Sequence, residues 1–260
     1  MNIRLDGKRA LVTGGNSGIG ASIVNELADA GAQVAINYLD HPEVAEQMAQ
    51  SIQQKGGQAI TIQADIANMV SVEAMFKRID EAWGGIDILI NNAGIDGDYM
   101  TSWQADIVKW KQVIEINLFG TFYCANQALK RMISQKMGVI LSTSSVHETI
   151  AWTGHSAYTS SKAAISMLTK TLAQEVAPHN VRVLAIAPGA VKTTINQNVW
   201  DNPTGLKDLL EKIPMARIGE PSEIAQVAVF LVSDVASYIT GRTIFVDGGM
   251  TDYPEFAHGG

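Results

Sequence analysis

The stretch Arg9-Ala10-Leu11-Val12-Thr13-Gly14-Gly15-Asn16-Ser17-Gly18-Ile19-Gly20 decides how this chain folds. Its first five residues form a short, largely apolar run, which is typical of a buried strand. The glycines that follow permit a tight turn, and a helical pattern continues from Ile19 to Ala30. A helix that begins directly after such a turn offers free N–H groups and a positive dipole end to a pyrophosphate. The stretch therefore predicts a strand, a phosphate-binding turn and a helix.

The rest of the chain repeats this alternation of strand and helix. Further strands are predicted at 33–37, 59–63, 86–91, 139–142, 181–187 and 243–246, and further helices at 42–55, 71–83, 104–135 (two helices run together), 157–177, 206–213 and 222–233. Alternation of this kind, with strands that are apolar throughout, is typical of parallel βαβ units covered on both faces. The expected fold is α/β: a single domain over 1–260, with one doubly wound parallel Rossmann-type sheet of about seven strands. The polar segment 191–219 breaks the rhythm and is predicted to be a small helical substrate lid.

Composition narrows the class of protein. The chain has 260 residues, of which 47% are hydrophobic, and a net charge of −7, which favours small-molecule partners over nucleic acid or a membrane surface. A single cysteine forms no internal disulfide, and the five histidines lack metal-ligand spacing, so no metal is expected. No apolar run is long enough to span a bilayer and no signal region is recognised, so a cytoplasmic location is expected.

Tyr158 and Lys162 lie four residues apart, which puts a phenol and an ammonium on one face of a helix. A free tyrosine titrates near pH ~10, and a neighbouring cation favours its phenolate form. Such a pair can take a proton from an alcohol. The same spacing also fits a packed ring beside a solvated amine, so the neighbouring motifs have to decide between the two interpretations.

Those motifs resemble the short-chain dehydrogenases/reductases over nearly the whole chain. The resemblance rests on the Thr-Gly-x-x-x-Gly-x-Gly spacing of 13–20 and, in the same order as in that family, on Asn91-Asn92-Ala93-Gly94, Asn117, Ser145, the Tyr158/Lys162 pair and Pro188-Gly189. It implies an NAD(P)-dependent dehydrogenase or reductase that acts on CH–OH groups.

The family's roles are carried over position by position. The resemblance implies that Tyr158 is the general acid/base and that Lys162 lowers its pKa and holds the nicotinamide ribose. It implies that Ser145 binds the reacting oxygen, that Asn117 anchors a water chain, and that Asp65 faces the adenine. The residues expected to bind the cofactor are Gly14, Asn16, Ser17, Gly18, Ile19, Gly20, Tyr38, Leu39, Asp65, Ile66, Asn91, Ala93, Gly94, Tyr158, Lys162, Pro188, Gly189, Val191 and Thr193.

The choice of nucleotide depends on the end of the second strand, where an acidic residue bonds the adenosine ribose and a basic one pairs with a 2′-phosphate. The chain has Asn37-Tyr38-Leu39-Asp40 there and Ser17 in the glycine loop, so no cation stands ready for a 2′-phosphate. NAD is the expected cofactor, with NADP tolerated.

Within the family, the stretch 144–148, Trp152, Ile195-Asn196, Ile213-Pro214-Met215 and 247–254 are similar to bacterial glucose 1-dehydrogenases. That resemblance implies oxidation of the C1 hydroxyl of an aldose to the lactone. The surroundings of His155 depart from the glucose-enzyme pattern, which is bulkier and more apolar there. The expected substrate residues are Asp96, Ser145, His147, Trp152, His155, Tyr158, Asn196 and Gly260.

Two other functions remain open on the sequence. One is reduction of a ketone or a 3-oxoacyl substrate by the same catalytic residues, and the other is non-catalytic nucleotide binding on the same fold. The polar tail 250–260 is expected near the active site or a neighbouring subunit, and the resemblance implies a homotetramer.

Overall fold

The computed structural model describes residues 3–193 and 200–252, and within them a seven-stranded sheet in which every strand runs parallel to its neighbours. The strands are β1 Arg9–Val12, β2 Gln33–Tyr38, β3 Gln58–Gln63, β4 Ile88–Asn91, β5 Gly138–Thr143, β6 Val181–Pro188 and β7 Thr243–Val246. The helices are α1 Gly18–Asp29, α2 Pro42–Gln54, α3 Met69–Trp83, α4 Ile107–Ile114, α5 Thr121–Gln135, α6 Ser156–Val176, α7 Pro203–Leu210 and α8 Pro221–Val232. The predicted fold class is confirmed.

The strand order β3-β2-β1-β4-β5-β6-β7 reverses direction between β1 and β4. In a doubly wound sheet, the crevice beyond the carboxyl ends of the strands at such a reversal is where ligands bind. The glycine turn after β1 and the segment Asn91-Asn92-Ala93-Gly94 at the end of β4 meet at this point. The topology therefore brings together the glycine turn and the Asn91–Gly94 segment, the two motifs that the sequence predicts to bind the cofactor.

The sheet has a hydrophobic core on each face, because successive strand residues point to opposite sides. Val12 packs with Leu27 of α1 and Ala228 of α8, whereas its neighbour Leu11 packs with helices α3, α5 and α6. Cys124, the single cysteine, is fully buried on that second face as a small apolar residue, and its burial raises the pKa of its thiol to about 12.

Two helices begin earlier than predicted, in each case because a polar side chain caps them. The side chain of Asn202 accepts hydrogen bonds from the N–H groups of Thr204 and Gly205, and Pro203 occupies the first turn, so α7 covers Pro203–Leu210 rather than 206–213. Asn68 caps α3 in the same way and moves its start to Met69. Strand β4 is shorter than predicted, since only Ile88–Asn91 are in the ladder.

The long helical stretch between β4 and β5 contains two helices, as predicted, but a π-helical segment joins them. This segment covers Glu115–Gly120 between α4 and α5 and includes Asn117. Such wider turns inside α-helices are frequent at functional sites. No helix in the described part of the chain has the length and apolarity needed to cross a membrane.

Candidate active site

Tyr158 and Lys162 lie one turn apart on α6 and face the carboxyl ends of the central strands. The Nζ atom of Lys162 is 5.4 Å from the centroid of the Tyr158 ring and donates a hydrogen bond of 2.7 Å to the carbonyl of Thr143, at the end of β5. Lys162 is buried, with 5% of its surface exposed. The packed pair therefore lies inside the protein rather than on a solvated face.

Ser145 joins this pair from the loop after β5. It begins a short 3₁₀ turn over Val146–Glu148, and its Oγ accepts a hydrogen bond of 3.2 Å from the N–H of His147. The Ser145 hydroxyl also acts on the phenol of Tyr158, where it opposes a rise of the pKa. Ser145, Tyr158 and Lys162 thus come together as the sequence predicted.

Burial is the largest influence on the pKa values of both Tyr158 and Lys162. Burial raises the pKa of Tyr158, the hydrogen bond from Ser145 opposes that rise, and the nearby charge of Asp96 adds to it. Burial also lowers the pKa of Lys162 to about 8. The ammonium of Lys162 is turned to the Thr143 carbonyl, and burial is the largest influence on the pKa of Tyr158. A lowering of that pKa by Lys162 stays a prediction.

Asn117 holds the backbone beside the catalytic pair. Its Oδ1 accepts from the N–H of Ile95 at 2.9 Å, and its Nδ2 donates to the Ile95 carbonyl at 2.8 Å and to Ser161 Oγ at 3.1 Å. Ser161 Oγ donates in turn to the Tyr158 carbonyl at 2.7 Å. The side chain of Asn117 is therefore fully engaged by protein contacts, and the expected role of this residue in anchoring a water chain stays a prediction.

Ser161 is a site residue that the sequence reasoning missed. It is fully buried and connects the π-helical segment to the catalytic turn of α6. The sequence did offer one signal, because Ser161 lies immediately before Lys162 on the same helix as Tyr158.

The glycine turn has the shape of a cradle that side chains would fill. A Cβ on Gly20 would collide with the Gly14 carbonyl and lie 2.5 Å from Asn92 Nδ2, and a Cβ on Gly14 would lie 3.1 Å from the Cα of Ala93. Gly18 has a left-handed φ of 51°, and Thr193 lies over it, since a Cβ there would be 3.5 Å from Thr193 Cγ2. The backbone is thus open to close approach at the start of α1.

The N–H groups at the start of α1 are left without a side-chain cap, because Ser17 at the N-cap makes no such bond. Anions bind readily to helix starts of this kind. The residues present therefore fit the pyrophosphate of a dinucleotide, with Gly14, Ser17, Gly18, Ile19 and Gly20 around it.

Two asparagines that flank this cradle have structural roles. Asn37 at the end of β2 accepts from the N–H of Gly14 at 3.3 Å and donates to the Ala64 carbonyl at 3.0 Å. Asn92 donates to the Thr13 and Gly14 carbonyls. Neither was predicted as a site residue, although a polar residue inside an apolar strand was a visible signal for Asn37.

Several predicted cofactor residues turn their side chains elsewhere. Asn16 donates to the Asp40 carbonyl at 2.9 Å, and Asp65 accepts from the N–H of Ala67, as a loop cap does. Asn91 is buried between Ser142 and Thr121. Its Nδ2 points toward the Oγ of Ser142 and the carbonyl oxygen of Thr121.

Two apolar side chains from the same predicted set belong to the core. The Tyr38 ring is buried in the hydrophobic core on the face of the sheet that packs against α1. Ile66 packs against Gly120, whose added Cβ would lie 2.7 Å from Ile66 Cδ1. For these residues and for Asn91, any contact with a nucleotide is restricted to the backbone, because the side chains point into the protein. Leu39, by contrast, is 53% exposed beside the glycine cradle.

The remaining cofactor residues lie where strands end. Gly94 borders the catalytic group, since a Cβ there would be 3.1 Å from Asn117 Oδ1 and 3.8 Å from Lys162 Nζ. Pro188 ends β6, Gly189 packs against the backbone of Asp247, and Val191 bridges to Gly219. All of them are at the carboxyl edge of the sheet, as predicted.

An aromatic stack borders Tyr158 on the substrate side. His147 stacks on Trp152 with ring centroids 4.6 Å apart, and His155 also stacks on Trp152, at 3.8 Å. Trp152 meets the Tyr158 ring edge to face at 5.8 Å, and Tyr99 meets His155 at 5.9 Å. Two imidazoles thus pack on the indole, and Trp152 remains 38% exposed for contact with a ligand.

Backbone carbonyls fix both imidazoles. His147 Nδ1 is 3.0 Å from the Ile150 carbonyl and His155 Nδ1 is 3.3 Å from the Asp96 carbonyl. Because a carbonyl only accepts, each Nδ1 carries the proton and each Nε2 is an acceptor in the neutral ring. Burial lowers the pKa of His147, which favours that neutral ring.

Of the predicted substrate residues, the structure brings together Asp96, Ser145, His147, Trp152, His155 and Tyr158 around the catalytic centre, although His155 is only 9% exposed. Asn196 and Gly260 lie outside the described residues. Within residues 3–193 and 200–252, no group of three or more histidine, cysteine, aspartate or glutamate side chains is arranged to hold a metal ion.

Comparison with known proteins agrees with this geometry. The profile of a family described as Enoyl-(Acyl carrier protein) reductase matches residues 14–251. The chain is 42% identical over 256 residues to 3beta-hydroxysteroid dehydrogenase 1 of Eggerthella lenta, with 98% of each chain covered. It is 39% identical over 252 residues to Glucose 1-dehydrogenase 2 of Bacillus subtilis, covering 96% of this chain and 97% of that one.

A third relative is the 3-oxoacyl-[acyl-carrier-protein] reductase FabG of Staphylococcus aureus, 40% identical over 244 residues, with 94% of this chain and 98% of that one covered. Among solved structures, a gluconate 5-dehydrogenase from Burkholderia cenocepacia in complex with NADP and tartrate superposes with a TM-score of 0.91 at 33% identity, covering 96% of this chain and 97% of that one. The chain therefore belongs to the short-chain dehydrogenases/reductases, NAD(P)-dependent oxidoreductases that act on CH–OH groups.

Proposed function

We propose that the protein oxidises the C1 hydroxyl of an aldose to the lactone, as a glucose 1-dehydrogenase does. The observation that carries this proposal is the position of His147 against Tyr158, with ring centroids 6.2 Å apart and an imidazole fixed as a neutral hydrogen-bond acceptor. The 39% identity to Glucose 1-dehydrogenase 2 over nearly the whole length supports the same substrate class.

The catalytic residues divide the chemistry in a simple way. The phenolate oxygen of Tyr158 takes the C1 hydroxyl proton, and C1 gives up its hydrogen as a hydride. The substrate thus loses one proton and one hydride, which carries two electrons, to two different acceptors. When bound, the nicotinamide supplies the hydride acceptor. Ser145 holds the reacting oxygen by the same hydroxyl that acts on the phenol of Tyr158.

A sugar needs several hydrogen-bond partners, because each buried hydroxyl left unpaired costs about 1–3 kcal/mol. Asp96 and His147 are the described polar groups near Tyr158 that we assign to the remaining hydroxyls. Asn196 and Gly260 complete the proposed set. We further assign the segment 191–219 as the substrate lid, supported by its two ends meeting at Val191 and Gly219 next to the carboxyl end of β6.

The residues around the proposed position of the adenosine favour NAD as the cofactor. Asn16 holds the backbone of Asp40 at the edge of the glycine cradle, and neither lysine nor arginine occurs in 14–20 or 37–41. A 2′-phosphate would therefore lack a cationic partner and meet a nearby carboxylate. NADP is proposed as a weaker alternative, in line with its presence in the gluconate 5-dehydrogenase structure.

A second candidate substrate is a bulky alicyclic alcohol or its ketone. Large apolar side chains stand exposed near the aromatic stack and at the lid side, with Tyr99 66%, Trp103 85% and Met215 58% exposed. Because two imidazoles already stack on Trp152, less of the indole is open for a sugar ring to stack on. The 42% identity to a 3beta-hydroxysteroid dehydrogenase favours the same class.

Reduction of a carrier-bound 3-oxoacyl group has weaker support from this surface. Such a reductase needs a basic face for its acidic carrier. In the lid, Lys192, Lys207 and Lys212 are offset by Asp201, Asp208 and Glu211.

A substrate panel separates these candidates. Purified enzyme is given aldoses, polyols, 3β-hydroxysteroids and small cyclic ketones with NAD(H) and NADP(H), and absorbance of the reduced nicotinamide is followed. We expect the highest kcat/KM with an aldose and NAD. A higher kcat/KM for the steroid or ketone overturns the aldose assignment and supports the second candidate.

We also propose a cytoplasmic homotetramer. Phe119, Phe122 and Met167 are 46%, 43% and 59% exposed on the segment from Glu115 to Val176, and a contact between subunits would bury them. The tail 250–260, of which Met250–Asp252 are described, is assigned to the same assembly or to the active-site rim.

A further inference from the structure

Glu148 is an acidic residue next to the catalytic centre that has no assigned role. It ends the 3₁₀ turn after Ser145. Its Oε1 accepts a hydrogen bond of 2.9 Å from Ser166 Oγ, and its Oε2 accepts one of 3.3 Å from Thr243 Oγ1. Two separate elements, α6 and β7, therefore hold this carboxylate in one place.

The place is one helical turn beyond Lys162. Ser166 follows Lys162 by four residues, so both side chains lie on the same stripe of α6, about 6 Å apart along the helix axis. Tyr158, Lys162 and Ser166 then occupy three successive turns. The carboxylate of Glu148 continues this row from the end opposite to Tyr158.

Lys162 needs a counter-charge because it is buried and makes no direct ion pair among the described residues. Its hydrogen bond goes to a neutral carbonyl, that of Thr143. Burial lowers the pKa of the ammonium, and the charge of Glu148 is the opposing influence that raises it. A carboxylate that acts on the ammonium without forming a direct ion pair stabilises its charge and leaves the Nζ atom able to bind a ligand in the site.

The other groups that face Lys162 do not supply this charge. Gly94 borders Nζ from the loop after β4, Thr143 from β5 and Tyr158 from its own helix, and all three are uncharged when the phenol is protonated. The charge of Asp96 acts on Tyr158 rather than on Lys162, and the ring of His147 contacts Tyr158 and Trp152.

We propose that Glu148 is a positioning residue that keeps the ammonium of Lys162 protonated inside the site. Ser166 and Thr243 fix its carboxylate at that position. The inference rests on the family role of Lys162 in holding the nicotinamide ribose, and it is independent of which alcohol is oxidised.

The test compares Glu148→Gln with Glu175→Gln. Glutamine keeps the size of the side chain and removes the charge; its oxygen accepts from one of the two hydroxyls, and its NH2 group can donate to the other. Glu175 is an exposed glutamate farther along α6. The protonation of Lys162 is read by NMR of the full chain with ¹³C at the lysine side chains, with the Lys162 signal identified by its absence in Lys162→Met. We expect the Lys162 midpoint to fall by roughly half a pH unit or more in Glu148→Gln and to be unchanged in Glu175→Gln.

Binding of the nucleotide gives a second readout. The dissociation constant of NADH, followed by its fluorescence between pH 6 and 10, is expected to begin rising at a lower pH in Glu148→Gln than in the parent enzyme. In the Lys162→Met background, Glu148→Gln should shift nothing, because the group through which Glu148 acts is gone.

An unchanged Lys162 midpoint in folded Glu148→Gln overturns the inference. An equal shift of the NADH curve with and without Lys162 overturns it as well, since Glu148 would then act by another route. If Glu148→Gln fails to fold by circular dichroism, Glu148→Asp and Ser166→Ala take its place: the first keeps the charge and should leave the midpoint within about 0.3 units, and the second releases the carboxylate and should lower it. An unchanged midpoint in folded Ser166→Ala overturns the inference in that case.

Discussion

At the scale of single residues, the phenol of Tyr158 is held by two opposing influences. Burial favours its protonated form, and the hydroxyl of Ser145 favours the phenolate. The sequence predicted the identity of the catalytic residues, because spacing along a helix fixes which side chains share a face. It could not predict the balance, since desolvation depends on everything packed around the ring.

That balance predicts the pH dependence in both directions of the reaction. The raised pKa of Tyr158 means that the base form appears only as pH rises into the alkaline range, so kcat for alcohol oxidation should increase there. The reverse reduction uses the protonated phenol and should slow over the same range. Initial rates in both directions, with a deuterated substrate to verify that hydride transfer limits the rate, check this expectation. An oxidation rate that is flat with pH while the isotope effect persists would contradict it.

At the scale of elements, the site depends on contacts between segments that are far apart in sequence. The π-helical segment Glu115–Gly120 places Asn117 where it clamps Ile95 and reaches Ser161 on α6. The sequence predicted two helices in this region but not the wider turn between them, because hydrophobic periodicity does not record which hydrogen-bond partner each carbonyl has. Helix starts were missed where an asparagine cap, such as Asn202, lies outside the apolar pattern.

The link through Ser161 is tested by Ser161→Ala. The change removes one buried oxygen and breaks the path from Asn117 to the Tyr158 carbonyl. We expect kcat to fall by roughly 10-fold, because a small displacement of the reacting group is costly, while the dissociation constant of NADH stays near the parent value. Steady-state kinetics and NADH fluorescence measure the two quantities.

Two further variants make this result specific. Ser160→Ala alters the exposed neighbour and should leave kcat unchanged. Ser161→Thr keeps the hydroxyl and should restore part of the rate. A parent-like kcat in Ser161→Ala would show that the link has no influence on Tyr158.

The cradle at the start of α1 is tested by Gly20→Ala. The added methyl group would collide with the Gly14 carbonyl and with Asn92, so the turn has to open. Overpacking of this size costs about 1–3 kcal/mol, and about 1.4 kcal/mol is a factor of ten in binding, so the dissociation constant of NADH should rise ~10-fold or more.

Gly84→Ala is the matched control for that change. An added Cβ at Gly84 meets no atom within 4 Å, so this change adds only the backbone strain of a residue with a φ of 72°, at the end of α3 and away from the cradle. NADH titration of both variants should show weakened binding in Gly20→Ala alone. Equal NADH affinities of the two variants would show that the cradle does not contribute to nucleotide binding.

At the scale of the whole molecule, the fold was predictable because every level of the sequence agrees with it. Apolar strands, intervening helices and the glycine turn all indicate a parallel sheet, and the observed order β3-β2-β1-β4-β5-β6-β7 places the motifs at its point of reversal. The side-chain directions of Asn16, Asn91 and Ile66 were not predictable in the same way, because a motif fixes the position of a residue along the chain but not which neighbour satisfies its polar atoms.

The proposed tetramer is tested by its mass in solution. Sedimentation equilibrium should give four times the mass of one chain, and Met167→Glu, which puts a charge on the exposed apolar side of α6, should reduce it. Val70→Glu alters an equally exposed apolar residue on α3 and should leave the mass unchanged. A monomer in the parent protein would contradict the proposal.

The central claim is that Tyr158 exchanges the proton of the reacting alcohol while other residues hold the cofactor. Tyr158→Phe removes the phenol oxygen and keeps the ring that packs against His147 and Trp152. We predict that kcat falls by at least ~100-fold and that the dissociation constant of NADH changes by less than about 3-fold, or ~0.6 kcal/mol. A variant that binds NADH normally and turns over at nearly the parent rate would contradict the claim.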